Sequence, residues 1–281
     1  MTMKATVSWA ALALAAGLGA SLPAAAQTAG AWTGAYVGGH LGYGFQPGDG
    51  GERVLFDTDL NGSYGDTVRT GAGVDAFSPG FCGGTAKGRT PGEGCNGDDD
   101  GVDVGIRAGY DLQYGSFLVG ALAELSYLDV QDGVAAFSTT PASYSFSREL
   151  EFLAALRLRA GVATDRFLVY ATGGLAWGDV DSSFQSTNTA NAFLPRGDKG
   201  AWGWQLGAGA EAKLNQTLSV GLEYLYTRLD DDRYVVRTAR GTAPATNPFL
   251  LVNPDGTDMR RGDSDFSVNT VRLTVTYRFG G

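Results

Sequence analysis

Near its end the sequence reads VRLTVTYRF, residues 271–279, where apolar and polar side chains alternate without a break. Successive side chains of a β-strand point to opposite faces, so this period of two predicts a strand with one apolar and one polar face. Seven earlier segments alternate in the same way, each about the 9–11 residues that a tilted membrane strand needs. The eight predicted strands are Trp32–Phe45, Val102–Gln113, Ser116–Leu128, Glu149–Gly161, Phe167–Gly178, Trp202–Leu214, Leu218–Arg228 and Ser267–Phe279.

The connections between these strands fall into two length classes. The short ones are residues 114–115, 162–166 and 215–217, and the long ones are 46–101, 129–148, 179–201 and 229–266. Short turns at one end and long loops at the other are typical of bacterial outer-membrane barrels. A soluble barrel has no reason to sort its loops in this way. The sequence therefore predicts an all-β fold, an eight-stranded antiparallel transmembrane β-barrel with short periplasmic turns and long extracellular loops.

The two faces of the predicted strands differ in charge. The apolar face carries no charged residue, as a lipid-facing surface requires, because Arg or Lys there costs about 2–4 kcal/mol at the bilayer midplane. The opposite face mixes glycines with charges, and buried charges are tolerated when they are paired. We therefore predict that the apolar face meets lipid and that an interior charge network is formed by Asp103, Arg107, Asp111, Glu124, Glu151, Arg157, Arg159, Glu211, Lys213, Glu223, Arg272 and Arg278.

Aromatic residues are sorted toward the two ends of the strands. Such sorting predicts girdles at both membrane–water interfaces. The girdle at the short-turn end comprises Trp32, Tyr110, Phe117, Phe167, Tyr277 and Phe279. The girdle at the long-loop end comprises Tyr43, Phe45, Tyr127, Trp177, Trp202, Trp204 and Tyr226.

The first 26 residues have the features of a secretory signal peptide. Lys4 precedes an apolar run from Val7 to Leu22, and small residues stand at positions 24 and 26. We predict a signal peptide over residues 1–26 and a barrel domain over residues 27–281. The net charge of the chain is −9, and an acidic exported protein argues against a nucleic-acid partner. No later segment is apolar and long enough for a membrane helix, so membrane insertion would use strands.

Four stretches together resemble the porin-like, opacity-type (OmpA-like) outer-membrane β-barrel proteins of Gram-negative bacteria. They are WTGAYVGGHLGYGF, RLRAGVATDRFLVYATGGLAWG, GWQLGAGAEAKLNQTLSVGLEYLYTRL and VRLTVTYRF. The resemblance implies an eight-stranded barrel with both termini in the periplasm and four surface loops. It also implies that Tyr277 and Phe279 belong to the signal read by the barrel-insertion machinery, although Gly280 and Gly281 follow here. Relatives with a peptidoglycan-binding domain carry it after the barrel, so that role is not expected.

Few residues have the pattern of a reactive site. Cys82 and Cys95 lie in one glycine-rich stretch, and in an oxidising compartment we expect a structural disulfide, with two free thiols as the alternative. His40 is the single histidine, and its parity places it inside the barrel. A Ser–His hydrolase would need it at the outer rim beside a serine and an acid, so we favour a hydrogen-bonded core residue.

Three loop features point weakly to ligands. Asn96–Gly101 resembles the start of a calcium loop, but Arg107 occupies the twelfth position, where such a loop needs a Glu. Arg-Gly-Asp occurs at residues 196–198 and 261–263, which would suit an adhesin but arises readily by chance. Basic residues of the fourth loop could meet lipopolysaccharide phosphates, namely Arg233, Arg237, Arg240, Arg260 and Arg261, although neighbouring aspartates offset them.

The sequence thus predicts a protein of the cell outer membrane with a structural and surface-presenting role, without catalysis or a cofactor. The alternatives are a small-solute porin and a surface adhesin that acts through its loops. The expected partners are outer-membrane lipid and lipopolysaccharide, the barrel-insertion machinery and, for an adhesin, a host-surface receptor. A wide channel is disfavoured because opposite charges balance in the predicted interior.

Overall fold

The computed structural model of the protein describes residues 31–46, 51–197, 199–231, 234–263 and 265–279. The predicted signal peptide lies outside these residues. Thirteen strands are described: β1 Gly34–Phe45, β2 Val54–Asp57, β3 Gly80–Gly83, β4 Gly101–Tyr114, β5 Phe117–Ser138, β6 Ala142–Ala163, β7 Phe167–Ser186, β8 Ala192–Arg196, β9 Ala201–Lys213, β10 Leu218–Asp230, β11 Val235–Ala239, β12 Thr257–Arg261 and β13 Asp265–Arg278. Over these residues, no helix is long and apolar enough to cross a membrane.

Eight of the strands form a closed antiparallel barrel. Their order around the barrel is β5-β4-β1-β13-β10-β9-β7-β6, and pairing of β6 with β5 closes the ring. The eight-stranded barrel predicted from the alternation is therefore confirmed. Short turns join β4 to β5, β6 to β7 and β9 to β10, at the places where the sequence predicts them. Gly115 in the first of these turns has φ +61°, a conformation that glycine adopts without strain.

The barrel wall is apolar outside and polar inside. Leu158 is 70% exposed while its neighbours Arg157 and Arg159 are buried, because adjacent residues of a strand point to opposite faces. Exposed aromatics lie toward the two ends of the wall. They include Tyr110, Phe117, Phe167, Tyr277 and Phe279 at the short-turn end, and Tyr43, Tyr127, Trp202 and Trp204 at the other end.

A β-bulge overturns the predicted orientation of two residues in β6. The pairing of β6 with both neighbouring strands shifts register around Glu151, and an extra residue in a strand exchanges the two faces beyond it. Leu150, predicted to face lipid, is fully buried in the interior. Glu151, predicted to lie in the interior network, is exposed. Simple alternation carried through the bulge placed both residues on the wrong side.

The predicted loop at 129–148 is not a loop. β5 and β6 continue as one paired hairpin up to a tight turn at residues 139–141, and β7 extends to Ser186 beside them. Residues 142–147 still alternate, whereas residues 134–137 form an uninterrupted apolar run and are all buried. Both segments lie outside the apolar band that the membrane-strand length selects. The hairpin therefore continues beyond the extracellular girdle.

The long connections fold together rather than separately. β2, β12, β11 and β8 form a second, four-stranded antiparallel sheet, assembled from the first, third and fourth connections. We refer to this sheet, with the outer parts of β5, β6 and β7 that pack on it, as the head. Its apolar core contains Val54, Phe56, Val68, Ala76, Phe77, Val134, Ala136, Ala142, Tyr144, Phe146, Val236, Phe249 and Met259. The head is thus a packed unit with a core of its own.

A disulfide joins Cys82 in β3 to Cys95, and β3 pairs with the outer part of β5. A disulfide that closes a loop of about this size stabilises the folded form of the segment by roughly 3 kcal/mol, because it restricts the unfolded chain. We expect the double change Cys82→Ser, Cys95→Ser to speed tryptic cleavage at the exposed Lys87 and Arg89. The barrel should still migrate as a folded species in unheated gels. An unchanged cleavage rate would show that the surrounding contacts hold this segment without the disulfide.

Candidate functional site

The centre of the lumen is built around two buried glutamates, Glu124 from β5 and Glu223 from β10. Arg157 Nη2 donates to both, at 2.7 Å from Glu124 Oε2 and 3.2 Å from Glu223 Oε1. Arg107 Nη2 lies 3.3 Å from Glu124 and 2.9 Å from Glu223. Arg272 pairs with Glu124 and lies 3.9 Å from Glu223. Because each carboxylate faces the same three guanidiniums, these groups form one coupled unit.

His40 lies beside this unit in a structural arrangement. Its Nε2 is 3.2 Å from Asp103 Oδ1 and 3.2 Å from Ser126 Oγ, and Asp103 also pairs with Arg272. In a Ser–His–acid triad the serine and the acid contact opposite nitrogens of the ring. Here both contact the same nitrogen, and the His40 side chain is fully buried. The other nitrogen, Nδ1, has no hydrogen-bond partner among the described residues, because Glu124 Oε2 on that side is 3.9 Å away. The three residues therefore lack the geometry of an activated serine.

A second group of ion pairs lies toward the periplasmic end and centres on Arg159. Its Nε donates to Asp111 Oδ1 at 2.8 Å and its Nη1 to Glu211 Oε1 at 2.7 Å. The guanidinium also lies 4.6 Å from the ring centroid of Tyr36 and 5.0 Å from that of Tyr170. The Tyr170 hydroxyl donates to Glu223 at 2.7 Å, so it connects this group to the central unit.

Glycines make the room that these large side chains occupy. A Cβ at Gly109 would lie 2.5 Å from the Tyr36 hydroxyl, and one at Gly209 would lie 2.5 Å from the Tyr170 hydroxyl. No side chain can approach another so closely, and the neighbouring strands therefore carry glycine where each tyrosine crosses them. The sequence signal was available, since both tyrosines stand on the polar face of their strands, but the prediction considered only charged residues.

Of the twelve charged residues predicted to line the interior, the structure brings ten together. Five carboxylates and five guanidiniums are buried in the lumen, namely Asp103, Asp111, Glu124, Glu211, Glu223, Arg107, Arg157, Arg159, Arg272 and Arg278. Glu151 is exposed at the bulge. Lys213 is half-buried at the periplasmic edge and donates to the backbone oxygen of Ala31. The lumen thus contains equal numbers of opposite charges, as burial of ions in a low-dielectric space demands.

Trp32 closes the periplasmic end of the lumen, which corrects its predicted place in the aromatic girdle. It lies just before β1 at the parity of the inward residues Tyr36 and His40, so the alternation places it inside, and the girdle assignment disregarded that parity. Its side chain is fully buried, and its Nε1 donates to the backbone oxygen of Thr164 at 2.7 Å. Arg278 Nη1 donates to the Trp32 backbone oxygen at 2.6 Å. The apolar layer around it comprises Trp32, Leu118, Ala163, Leu168 and Tyr170.

A second apolar layer fills the lumen at the extracellular end. It is formed by inward side chains from six barrel strands and is separated from the periplasmic layer by the ion pairs. Its members are Leu128, Val130, Leu150, Leu153, Ala176, Val180, Ala201, Leu229, Phe266 and Val268. Packed side chains therefore occupy the lumen at both ends as well as in the middle.

A separate buried cluster joins the barrel to the head, and we call it the collar. It comprises Glu52, Asp132, Arg148, Asp231 and Arg261. Arg261 Nη2 donates to Glu52 at 2.5 Å and to Asp132 at 2.8 Å, while Arg148 Nε donates to Asp132 at 2.7 Å. Asp231 lies 3.6 Å from Arg148. All five positions lie in connections that the sequence predicts to be loops, so strand alternation gives no signal for the collar.

The three carboxyls of the collar differ in the net shift of their pKa values. Burial raises the pKa of Glu52 from 4.5 to about 7, against the lowering effect of Arg261. Burial likewise raises the pKa of Asp231. Burial also raises the pKa of Asp132, but the charges and hydrogen bonds of Arg148 and Arg261 together outweigh it, so that this pKa is lowered. The carboxyl flanked by two guanidiniums is thus held ionised, whereas the outer two carboxyls resist ionisation.

The described residues of the loop motifs contact neighbouring parts of the chain. In Asn96–Gly101, Asp98 accepts from the Gly133 amide at 2.9 Å and Asp100 from the Gln46 amide at 3.1 Å, so these carboxylates fasten the segment to its neighbours. In the second Arg-Gly-Asp tripeptide, Arg261 is buried in the collar. In the first, Arg196 pairs with Asp258, and Asp198 lies outside the described residues.

An acidic turn that the sequence analysis overlooked follows β2. The carboxylate oxygens of Asp57, Asp59 and Asp66 lie within 4.8 Å of one another. They accept hydrogen bonds from backbone amides of the same turn, including Gly62 N to Asp57 at 2.8 Å and Thr58 N to Asp66 at 2.8 Å. These bonds satisfy the carboxylates within the turn itself.

Two solved outer-membrane proteins resemble the structure at low sequence identity. OprG from Pseudomonas aeruginosa is 12% identical, with 89% of this chain and 98% of that chain covered and a TM-score of 0.44. The outer-membrane protease OmpT from Escherichia coli is 10% identical, with 88% and 97% covered and a TM-score of 0.40.

The sequence is similar to those of other outer-membrane proteins and to a family profile. The 31 kDa outer-membrane immunogenic protein of Brucella melitensis is 32% identical over 177 residues, which are 62% of this chain and 65% of that protein. The 22 kDa outer membrane protein of Rhizobium leguminosarum bv. viciae is 28% identical over 131 residues, 46% of this chain and 53% of that protein. Residues 11–279 match the profile described as the outer membrane protein beta-barrel domain. The chain therefore belongs to the outer membrane protein beta-barrel domain family.

Proposed function

We propose that this protein is a closed outer-membrane barrel whose role is structural and surface-presenting, with the head as the presented part. The filling of the lumen carries the proposal: an apolar layer at each end encloses a charge-balanced layer of ion pairs. Small barrels have an interior just wide enough for side chains. An ion crossing this lumen would have to displace paired groups that lie in an apolar surrounding.

The arrangement of His40 supports a role without catalysis. Asp103 and Ser126 share its Nε2, and the ring is enclosed by the barrel wall. A lipid or peptide substrate would need access to the serine from the outer rim. Acyl transfer would need an acid hydrogen-bonded to the other ring nitrogen, whereas Glu124 Oε2 lies 3.9 Å from Nδ1. The proposal accordingly names no cofactor.

Lipid and lipopolysaccharide are the proposed partners of the barrel wall. At the extracellular edge, Arg228 stands directly opposite Trp204 in the pairing of β10 with β9, and Trp204 packs against Tyr226. Arg228 pairs with Asp265 but remains 43% exposed, and a cation beside aromatic residues at this height suits contact with the phosphates of the outer leaflet. During biogenesis we propose that Tyr277 and Phe279, whose rings pack 5.1 Å apart, are read by the barrel-insertion machinery.

A surface adhesin is the second candidate, and the packed head favours it over a porin. A host-surface receptor would meet the head as a folded surface, because Arg261 of one Arg-Gly-Asp tripeptide is buried. The expected effect of Asp263→Ala on cell binding is therefore small, whereas a receptor that recognised the tripeptide itself would lose its binding.

Conductance in planar bilayers tests the closed barrel. We expect purified protein, inserted under conditions in which an open porin conducts, to give no steady single-channel openings, because all three layers of the lumen are filled. Folding is verified by the gel mobility of unheated protein from the same preparation. Regular openings of a defined size from the folded monomer would favour the porin and end the closed-barrel proposal.

A further inference from the structure

The collar combines three carboxyls with two guanidiniums in a buried place. Glu52 leads into β2, Asp132 lies in β5, Arg148 in β6, Asp231 follows β10, and Arg261 ends β12. All five side chains are at least nine-tenths buried, with exposures of 9% or less. If every carboxyl ionised, the cluster would keep one uncompensated negative charge in a place shielded from water, which is costly.

Glu52 is the group best placed to hold a proton. Its Oε1 accepts from Arg261, whereas its Oε2 is buried and has no hydrogen-bond partner among the described residues. Asp132, by contrast, accepts from both guanidiniums. A protonated Glu52 keeps the bond through Oε1 and brings the cluster to neutrality.

The charged groups that face Glu52 come from every side of the collar. Arg261 of β12 and Arg148 of β6 attract its ionised form, while Asp132 of β5 repels it. Asp231 and Asp98 face the same guanidiniums and Asp132. The balance of these groups with burial gives a pKa of about 7 in place of 4.5.

We propose that the collar is a proton-operated latch, in which a protonated Glu52 holds β2 and the first connection against the barrel mouth and an ionised Glu52 loosens them. β2 is an edge strand of the head sheet, and in that sheet it pairs only with β12 among the described strands. The chain beside Glu52 is also fastened through Arg53, whose backbone oxygen accepts from Gly262 at 2.7 Å. Loosening this segment would therefore release one edge of the head and leave the barrel closed.

The closed form of the latch is favoured at low pH, because the pKa of Glu52 is raised in it. A carboxyl with a raised pKa in the closed form binds its proton more tightly there than in the open form. The stabilisation of the closed form is therefore complete below pH 4.5, the ordinary pKa of a glutamate, and it is lost as the pH rises through about 7. Asp231 acts in the same direction, and the lowered pKa of Asp132 acts only at more acidic pH.

Hydrogen exchange on the full-length protein in lipid vesicles tests the latch. We expect amide protection in Val54–Asp57, corrected for intrinsic exchange, to be roughly tenfold or more greater at about pH 5.5 than at about pH 8.5. Glu52→Gln should keep these amides protected at both pH values, while the exposed control Glu151→Gln should respond like the wild type. Equal protection of the wild type at both values, or an undiminished response in Glu52→Gln, overturns the proposal.

A second measurement covers the case in which Glu52→Gln does not fold. In wild-type protein with ¹³C-labelled glutamate side chains, the carboxyl resonance of Glu52 should titrate with a midpoint near 7. A midpoint near the ordinary 4.5 would overturn the latch directly.

Discussion

Replacing Glu124 with glutamine will lower the free energy of unfolding by about 3–5 kcal/mol, the usual cost of removing one partner from a buried ion pair. Glu124 is 3% exposed and faces Arg107, Arg157 and Arg272. Glutamine preserves the size of the side chain but removes its charge, and Glu223 alone cannot balance the three guanidiniums. Equilibrium unfolding in urea, followed by tryptophan fluorescence in lipid vesicles, measures the change.

Glu151→Gln is the matched control for this substitution. It makes the same chemical change in the adjacent strand β6, but Glu151 is exposed at the bulge. Surface substitutions of this kind usually stay within about 0.5 kcal/mol. Similar losses in the two variants would mean that burial and pairing do not distinguish the residues, and that the bulge is wrongly placed.

The change Leu222→Arg will impair insertion or reduce stability by about 2–4 kcal/mol, because it places a charge on the lipid face near the bilayer midplane. Leu222 is 54% exposed on the outer wall. It lies along β10 between Leu218, which pairs with Tyr277 of one girdle, and Tyr226 of the other. The readouts are the fraction of heat-modifiable protein after refolding into vesicles and the midpoint of urea unfolding.

Gln216→Arg provides the control for added charge. Gln216 is exposed in the short turn between β9 and β10. An arginine at this position would remain in water, so the Gln216→Arg protein should fold with wild-type yield. Normal folding of Leu222→Arg in lipid would contradict the orientation of the wall. The orientation would be reversed if, in addition, the inward positions of β10 rejected charge changes.

The barrel and its faces were predictable because the membrane imposes a period of two on every spanning strand. Leu158 lies between Arg157 and Arg159, and lipid and lumen select the opposite chemistry at each step. No tertiary information is needed to assign such residues to a face. The same rule assigned Glu124 and Glu223 to the inner face, although their ion-pair partners come from strands that are distant in sequence.

The rule failed where the membrane no longer constrains the chain. At Glu151 the bulge inserts a residue near the extracellular end, and alternation alone cannot register an insertion. The head and the collar were missed for a related reason. The strands of the head sheet are short and pair across connections that lie far apart, so that Val54 meets Arg261 without any local signal in either segment.

The construction of the head has a consequence for reagents raised against the cell surface. Its sheet brings β2 from near the beginning of the chain beside β12 from near the end, with β11 and β8 completing it. An antibody that covers this sheet therefore recognises a discontinuous epitope. Synthetic peptides copied from single connections would lack that shape, and serum selected on them would bind heat-denatured protein better than intact bacteria.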